Sequence, residues 1–146
     1  MEINVRFYTD ADAPFIAELE KECFSDPWSQ NAVIEAAKYG TIFLVAEYQN
    51  KIIGYLGMKP VLDEGYISNV AVTSEARGMG FGSALLQKLT LYAKENGIKT
   101  ISLEVRPSNT PAIALYEKFG YKQVGRRRNF YSHPTEDGLI LTKEAE

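Results

Sequence analysis

The residues Val70-Ala71-Val72-Thr73-Ser74-Glu75-Ala76-Arg77-Gly78-Met79-Gly80-Phe81-Gly82-Ser83-Ala84 lead from an apolar strand end, through a short polar turn, into a glycine-rich helix start. Such a junction can hold phosphate. Glycines at 78, 80 and 82 let backbone approach a ligand closely and adopt φ > 0, and a helix starting near Gly82 leaves its first N–H groups unpaired at a positive dipole end. Arg77 adds a full positive charge beside them. Glu104 is a second residue with chemistry to offer: it sits on the polar face of a strand whose other face is Ile101, Leu103 and Val105. Its carboxylate is either a proton acceptor beside a site or an ordinary solvent-facing glutamate. Tyr116 lies on an apolar helix face, where core packing is the plain reading, yet a phenol with a reference pKa of about 10 keeps its proton at neutral pH.

Other chemistry is excluded. The chain has one cysteine and one histidine, which leaves no internal disulfide and no usual zinc cluster. Cys23 as a nucleophile needs an activating base, and His133 is far along the chain in a Pro-containing loop, so Cys23 reads as a small buried apolar residue. A formal charge of −3 argues against a general nucleic-acid surface. Hydrophobic content of 45% with 24% charged residues in 146 residues reads as one soluble domain, residues 1–146, with a proper core. The start lacks a long apolar region, and no apolar run approaches the ~18 residues of a membrane span. The expectation is a cytoplasmic, metal-free protein without membrane or nucleic-acid partners.

The elements that must position these residues follow in chain order. Ile3, Val5 and Phe7 alternate with polar neighbours as in a half-buried strand. Thr9 or Asp10 caps a helix with Pro14 in its early turn and Phe15, Ile16, Leu19 and Cys23 as its apolar stripe. Ser25 to Ser29 breaks the chain, with Trp28 at the break as either a packing aromatic or a groove wall. Ser29 caps a second helix carrying Val33, Ile34 and Ala37 before Gly40. Strands over 42–48, 51–59 and 65–72 form an antiparallel meander, with turns at Gln49-Asn50 and through Pro60 to Glu64.

After the cradle, Leu85, Leu86, Leu89, Tyr92 and Ala93 stripe a crossover helix closed by Gly97. The strand 100–105 is then parallel to 65–72. Thr110 caps, and Pro111 begins, a helix with Ala112, Leu115, Tyr116 and Phe119 on one face, ended by Gly120. Strands 121–131 and 139–141 finish the chain, joined by the loop Ser132 to Gly138. Arg126-Arg127-Arg128 reads as a solvated strand edge, with alternation sending Arg127 opposite to its neighbours.

Two ligand readings compete for the cradle. Gly78-x-Gly80-x-x-Ser83 with Glu104 about twenty residues on approximates a dinucleotide fingerprint. Against it, Thr73 to Arg77 intervene between strand and glycines, and only one parallel unit exists within a meander. The second reading is a pyrophosphate-bearing acyl carrier such as coenzyme A.

Arg77-x-x-Gly80-x-Gly82 after Val70-Ala71-Val72, with this element order, resembles the GNAT superfamily of acetyl-CoA-dependent N-acetyltransferases over nearly the whole chain. Leu103 to Asn109, Ala112 to Glu117, and Arg127 to Tyr131 are similar to the bacterial ribosomal-protein-alanine N-acetyltransferases, with departures at Phe130 and Asp26. The resemblance implies an α/β (α+β) fold: a mixed, mostly antiparallel seven-stranded sheet flanked by four helices, its fourth and fifth strands splayed. It implies acetyl-CoA as cosubstrate, held by the backbone of Val70, Ala71 and Val72, by Arg77, Gly78, Met79, Gly80, Phe81, Gly82 and Ser83 at the pyrophosphate, and by Asn109. It makes Glu104 the proton acceptor and Tyr116 the proton donor. The implied acceptor is the N-terminal alanine of a small-subunit ribosomal protein, with Trp28 and Tyr131 at its groove. The alternatives are acetylation of a small amine, an antibiotic or a lysine, or a non-catalytic acyl-CoA-binding module.

Overall fold

A computed structural model of the chain describes residues 2–144. The first strand, β1 (Asn4–Phe7), runs into a single 3₁₀ turn, Asp10–Asp12, and then α1 (Ala13–Cys23). Asp12 closes this turn by accepting the Thr9 backbone N–H at 2.8 Å. The buried stripe of α1 is Ala13, Ile16, Ala17 and Glu20, joined by Leu19. That face turns Phe15 outward, 57% exposed, so the expected apolar stripe is rotated away from it. Ser29 caps α2 (Gln30–Lys38), its side chain accepting from the Ala32 N–H at 3.1 Å.

A meander follows: β2 (Ile42–Tyr48), β3 (Lys51–Val61) and β4 (Glu64–Val72). The Gln49-Asn50 turn has positive φ at both residues, the tight hairpin geometry expected. The next turn is Leu62-Asp63, shorter than expected, because Pro60 stays inside β3 opposite Gly65. The β2 partners end at Met58, so no strand on that side calls on the amide that Pro60 lacks.

The crossover helix α3 (Phe81–Glu95) leads to β5 (Thr100–Val105), and α4 (Thr110–Lys118) leads to β6 (Lys122–Tyr131) and β7 (Glu136–Glu144). Asn109, not Thr110, is the N-cap of α4, its side-chain oxygen accepting the Ala112 N–H at 3.3 Å. The last strand is longer than its apolar segment, since Thr142, Lys143 and Glu144 pair with Ser102, Ile101 and Thr100.

One seven-stranded sheet results, in the order β1-β2-β3-β4-β5-β7-β6. On one face Leu44, Leu56 and Ile67 pack with Leu85, Leu86 and Leu89 of α3 and Tyr116 of α4. On the other, Phe43, Tyr55 and Ala71 pack with Ile16 and Val33 of α1 and α2. All pairings are antiparallel except β4 with β5, and that one covers only Glu64, Tyr66 and the residue between them, ending at Tyr66 opposite Ser102. Asn69 faces Gly57 while Ile67 faces Met58, so Ser68 is an extra residue in β4. A bulge there raises the local twist, and the pairing of β4 with β5 has already ended two residues before it, at Tyr66. The expected splay is present, and the bulged residue lies within it.

Candidate active site

Two faces of the same junction build the site. Gly78 and Gly80 have φ of +79° and +94°, conformations that side chains resist. Around Gly78 a Cβ would meet nothing within 4 Å, so its surroundings are open to a ligand. Gly82 differs from the expectation made for all three glycines. It lies inside α3, and its added Cβ would stand 2.8 Å from Leu115 Cδ2 of α4; its smallness serves helix packing. The first bond of α3 runs from the Ala84 N–H to the Gly80 carbonyl, 3.0 Å. The N–H groups of Phe81, Gly82 and Ser83 therefore precede the helical ladder and are the ones the helix end offers to an anion. Arg77 is folded back toward β4, its Nε donating to the Val72 carbonyl at 3.2 Å.

The parted strands expose backbone. A bond from the Thr73 N–H to the Ile53 carbonyl, 2.9 Å, brackets the Val72–Gly54 pair. By antiparallel alternation Val70 and Val72 turn their peptide groups to the open side, and Ala71 turns its own toward Tyr55. Of the three residues expected to serve the acyl carrier by backbone, two are oriented for it.

Glu104 of β5 and Tyr66 of β4 look out from the diverging strands, and the Tyr66 hydroxyl donates to Glu104 Oε1. Arg127 Nε donates to Oε2 at 3.1 Å. With these partners the Glu104 side chain is only 4% exposed, which removes the reading of an ordinary solvent-facing glutamate. Tyr116 is buried, with its ring edge-on to Tyr121 at 5.6 Å. Burial pushes its hydroxyl above the ordinary tyrosine value, and the nearby Tyr131 phenol adds to the rise.

Glu104, Tyr116, Trp28, Tyr131 and Asn109 line one cavity of about 590 Å³ between β4 and β5. Trp28 is half-buried with its ring edge-on to Phe43 at 6.2 Å, so it packs under its loop and also walls the cavity. Tyr131 lies under the Arg106 guanidinium, 4.5 Å from the ring centroid, and burial pushes its pKa up to about 12. Arg106 donates to the Ser132 carbonyl at 3.0 Å and to Glu136 at 3.0 Å, which pins the last hairpin turn across the end of β5. Cys23 also faces the cavity, but burial pushes its thiol up, away from the thiolate a nucleophile requires. The chain brings the His133 loop to the rim of this cavity despite its distance in sequence, with Nδ1 3.8 Å from Asp26.

Sequence reasoning missed Tyr66, Asn69 and Glu20. Glu20 is fully buried on α1, where a helical charge reads as solvent-facing. Only its recurrence on the stripe of Ile16 and Ala13 could have found it.

A bulged β4, a splayed parallel pair and a glycine-opened helix after it define an acyl-carrier transferase. Residues 13–121 match the family model of the acetyltransferase (GNAT) family, and the chain belongs to that family. It is 38% identical over 129 residues to the [ribosomal protein bS18]-alanine N-acetyltransferase of Haemophilus influenzae, covering 85% of this chain and 86% of that one. The crystal structure of the ribosomal-protein-S18-alanine N-acetyltransferase from Escherichia coli superposes with a TM-score of 0.92 at 28% identity, over 99% of this chain and 95% of that one. A GNAT acetyltransferase from Elizabethkingia anophelis with acetyl-CoA bound is similar at TM-score 0.82 and 25% identity, each chain covered to 97%. The resemblance carried by the motifs is borne out: the protein is an N-acetyltransferase of a family that uses acetyl-CoA. Among the described residues no helix is long and apolar enough to cross a membrane.

Proposed function

We propose that this chain, acting as a single domain in the cytoplasm, transfers the acetyl group of acetyl-CoA to the α-amine of a protein that begins with alanine, a bS18-type ribosomal protein. The observation that carries the reading is the cavity in which a covered carboxylate, Glu104, and a buried phenol, Tyr116, meet the open backbone of β4.

The chemistry follows from those groups. The neutral amine attacks the thioester carbonyl, a C–N bond forms as the C–S bond breaks, and no covalent enzyme intermediate is needed. Glu104 takes the proton of the amine, directly or through water, and Tyr116 gives its proton to the departing thiolate. The open peptide group of Val70 and the N–H of Val72 hold the carrier arm, Gly78 to Ser83 the pyrophosphate, with Arg77 supplying charge beside them, and Asn109 lies further along the carrier.

Acceptor choice follows from proton affinity. At pH 7 an α-amine with pKa near 8 needs about 1.4 kcal/mol to become neutral, whereas a lysine amine at about 10.4 needs roughly 4.6 kcal/mol. A single glutamate suits the easier acceptor. Trp28 and Tyr131 wall the groove with aromatic surface, which favours an extended peptide end with a small first side chain.

Mass spectrometry after incubation with acetyl-CoA and a peptide panel tests the reading. The expected product is an acetylated α-amine on the alanine peptide, with poor labelling of a peptide that begins with a bulky residue. Label confined to lysine side chains would overturn the acceptor assignment and leave the acetyltransferase standing.

A further inference from the structure

Asn69 stands on β4 directly after the bulged Ser68 and before Val70, on the stretch where β4 has left β5, and it lines the cavity. Its side chain is not free to turn. Asn69 Nδ2 donates to Glu20 Oε2 at 3.0 Å, and Glu20 is fully buried. The same carboxylate accepts the Tyr55 hydroxyl on Oε2 and the Trp28 backbone N–H on Oε1 at 2.8 Å.

A carboxylate can only accept, whereas an amide has one accepting end and one donating end. Facing Glu20, Asn69 must present its NH₂, so its carbonyl oxygen is the end turned elsewhere. A buried polar group is costly to leave unpaired, and three donors converging on Glu20 make that orientation firm. The outcome is an amide of fixed sense on a residue that lines, from β4, the same cavity that Glu104 lines from β5.

We propose that Asn69 is an acceptor-binding residue, its Oδ1 taking a hydrogen bond from the N–H of the incoming amine, and that Glu20 is the positioning residue that holds the amide in that sense. This deepens the functional reading and rests on it. An amine entering the gap needs acceptors for the hydrogens it does not surrender, and Asn69 supplies one without competing for the proton that Glu104 takes. The Trp28 bond gives Glu20 a second link to the same substrate, since it ties the groove wall to the strand that carries Asn69.

The test is steady-state kinetics on the intact chain with an alanine-initial peptide, together with calorimetry of acetyl-CoA binding. Asn69→Ala is expected to raise the peptide KM about tenfold, the size of one hydrogen bond to a charged or polar ligand, with acetyl-CoA Kd within twofold of wild type. Asn69→Ser keeps a hydroxyl that can donate to Glu20 and protects folding; losing the carbonyl, it is expected to show the same KM rise. Glu20→Gln, which lets the Asn69 amide turn over, is expected to raise KM in the same direction and to add less than twofold when combined with Asn69→Ala. Wild-type KM in both Asn69 variants, or an acetyl-CoA Kd that rises in step with KM, overturns the inference while an active wild type leaves the functional reading intact. A wild type that acetylates no amine overturns both.

Discussion

A phenol serves as an acid for a thiolate only if it keeps its proton until the thiolate forms, and the surroundings of Tyr116 enforce that. Burial and the neighbouring Tyr131 raise its pKa above the ordinary tyrosine value of about 10. The protonated form therefore predominates across pH 7–9. Tyr116→Phe is expected to lower kcat by about 10²-fold by the same factor at pH 7 and pH 9, with peptide KM little changed; a defect that disappears at pH 9 would show that the phenol loses its proton below pH 9, and wild-type kcat in the variant at pH 7 would show that it is not the acid. Glu104→Gln is expected to lower kcat by about 10²-fold while calorimetry gives an unchanged acetyl-CoA Kd. Glu104 was legible in the sequence because alternation along β5 sets it against an apolar face. Its partners were not, since Tyr66 and Arg127 lie 38 and 23 residues away and come together only when β4, β5 and β6 are placed.

At the scale of elements, the cradle separates two uses of glycine that look alike in sequence. Gly80 needs a left-handed backbone, while Gly82 needs room for Leu115. Gly80→Ala is expected to raise acetyl-CoA Kd about tenfold, since an alanine at φ of +94° costs roughly 1–2 kcal/mol and the loop relaxes away from the ligand. Gly82→Ala instead pushes Leu115, the neighbour of Tyr116 on α4. Its expected effect is on kcat, with Kd within threefold, and Leu115→Ala in the same chain should recover much of the loss. Calorimetry and turnover on the three variants read these outcomes; equal effects on Kd at both glycines would make the missing side chain of Gly82 a requirement of the cradle and not of helix packing. The helices and strands themselves were legible from periodicity and caps. The misread points were local: Pro60 looked like a turn residue because its strand outruns its β2 partner, and Thr110 looked like the cap one residue too late because Asn109 supplies the oxygen.

The whole molecule depends on pairings that no local pattern announces. The insertion of β7 between β5 and β6 puts Ile140 opposite Glu104, and three polar residues of β7 join the ladder only because Thr100 to Ser102 await them. At the other end, Arg6 of β1 grips Asp12 through two bonds of 2.8 and 2.9 Å and Glu47 of β2 at 3.1 Å. This cluster fixes the start of α1, the helix that carries Glu20 and leads to Trp28. The Arg6 hydrogen bonds hold the Asp12 carboxyl below its ordinary value despite burial, and Glu47 is lowered by the same guanidinium. A depressed folded-state pKa contributes stability that is fully present above the unfolded value of about 3.9 and is lost as pH falls through the folded value. The Arg6 side chain is 33% exposed, so the pair is worth less than the ~3–5 kcal/mol lost when a fully buried pair is broken, and about 2 kcal/mol is expected for Asp12→Asn at pH 7. Urea unfolding of the wild type and Asp12→Asn at pH 7 and near pH 2.5 measures this directly: the gap between them should narrow in acid, because the contribution of the charged Asp12 is lost as pH falls toward its lowered folded value. A gap of the same size at both pH values would assign the loss to packing of the turn and not to its charge.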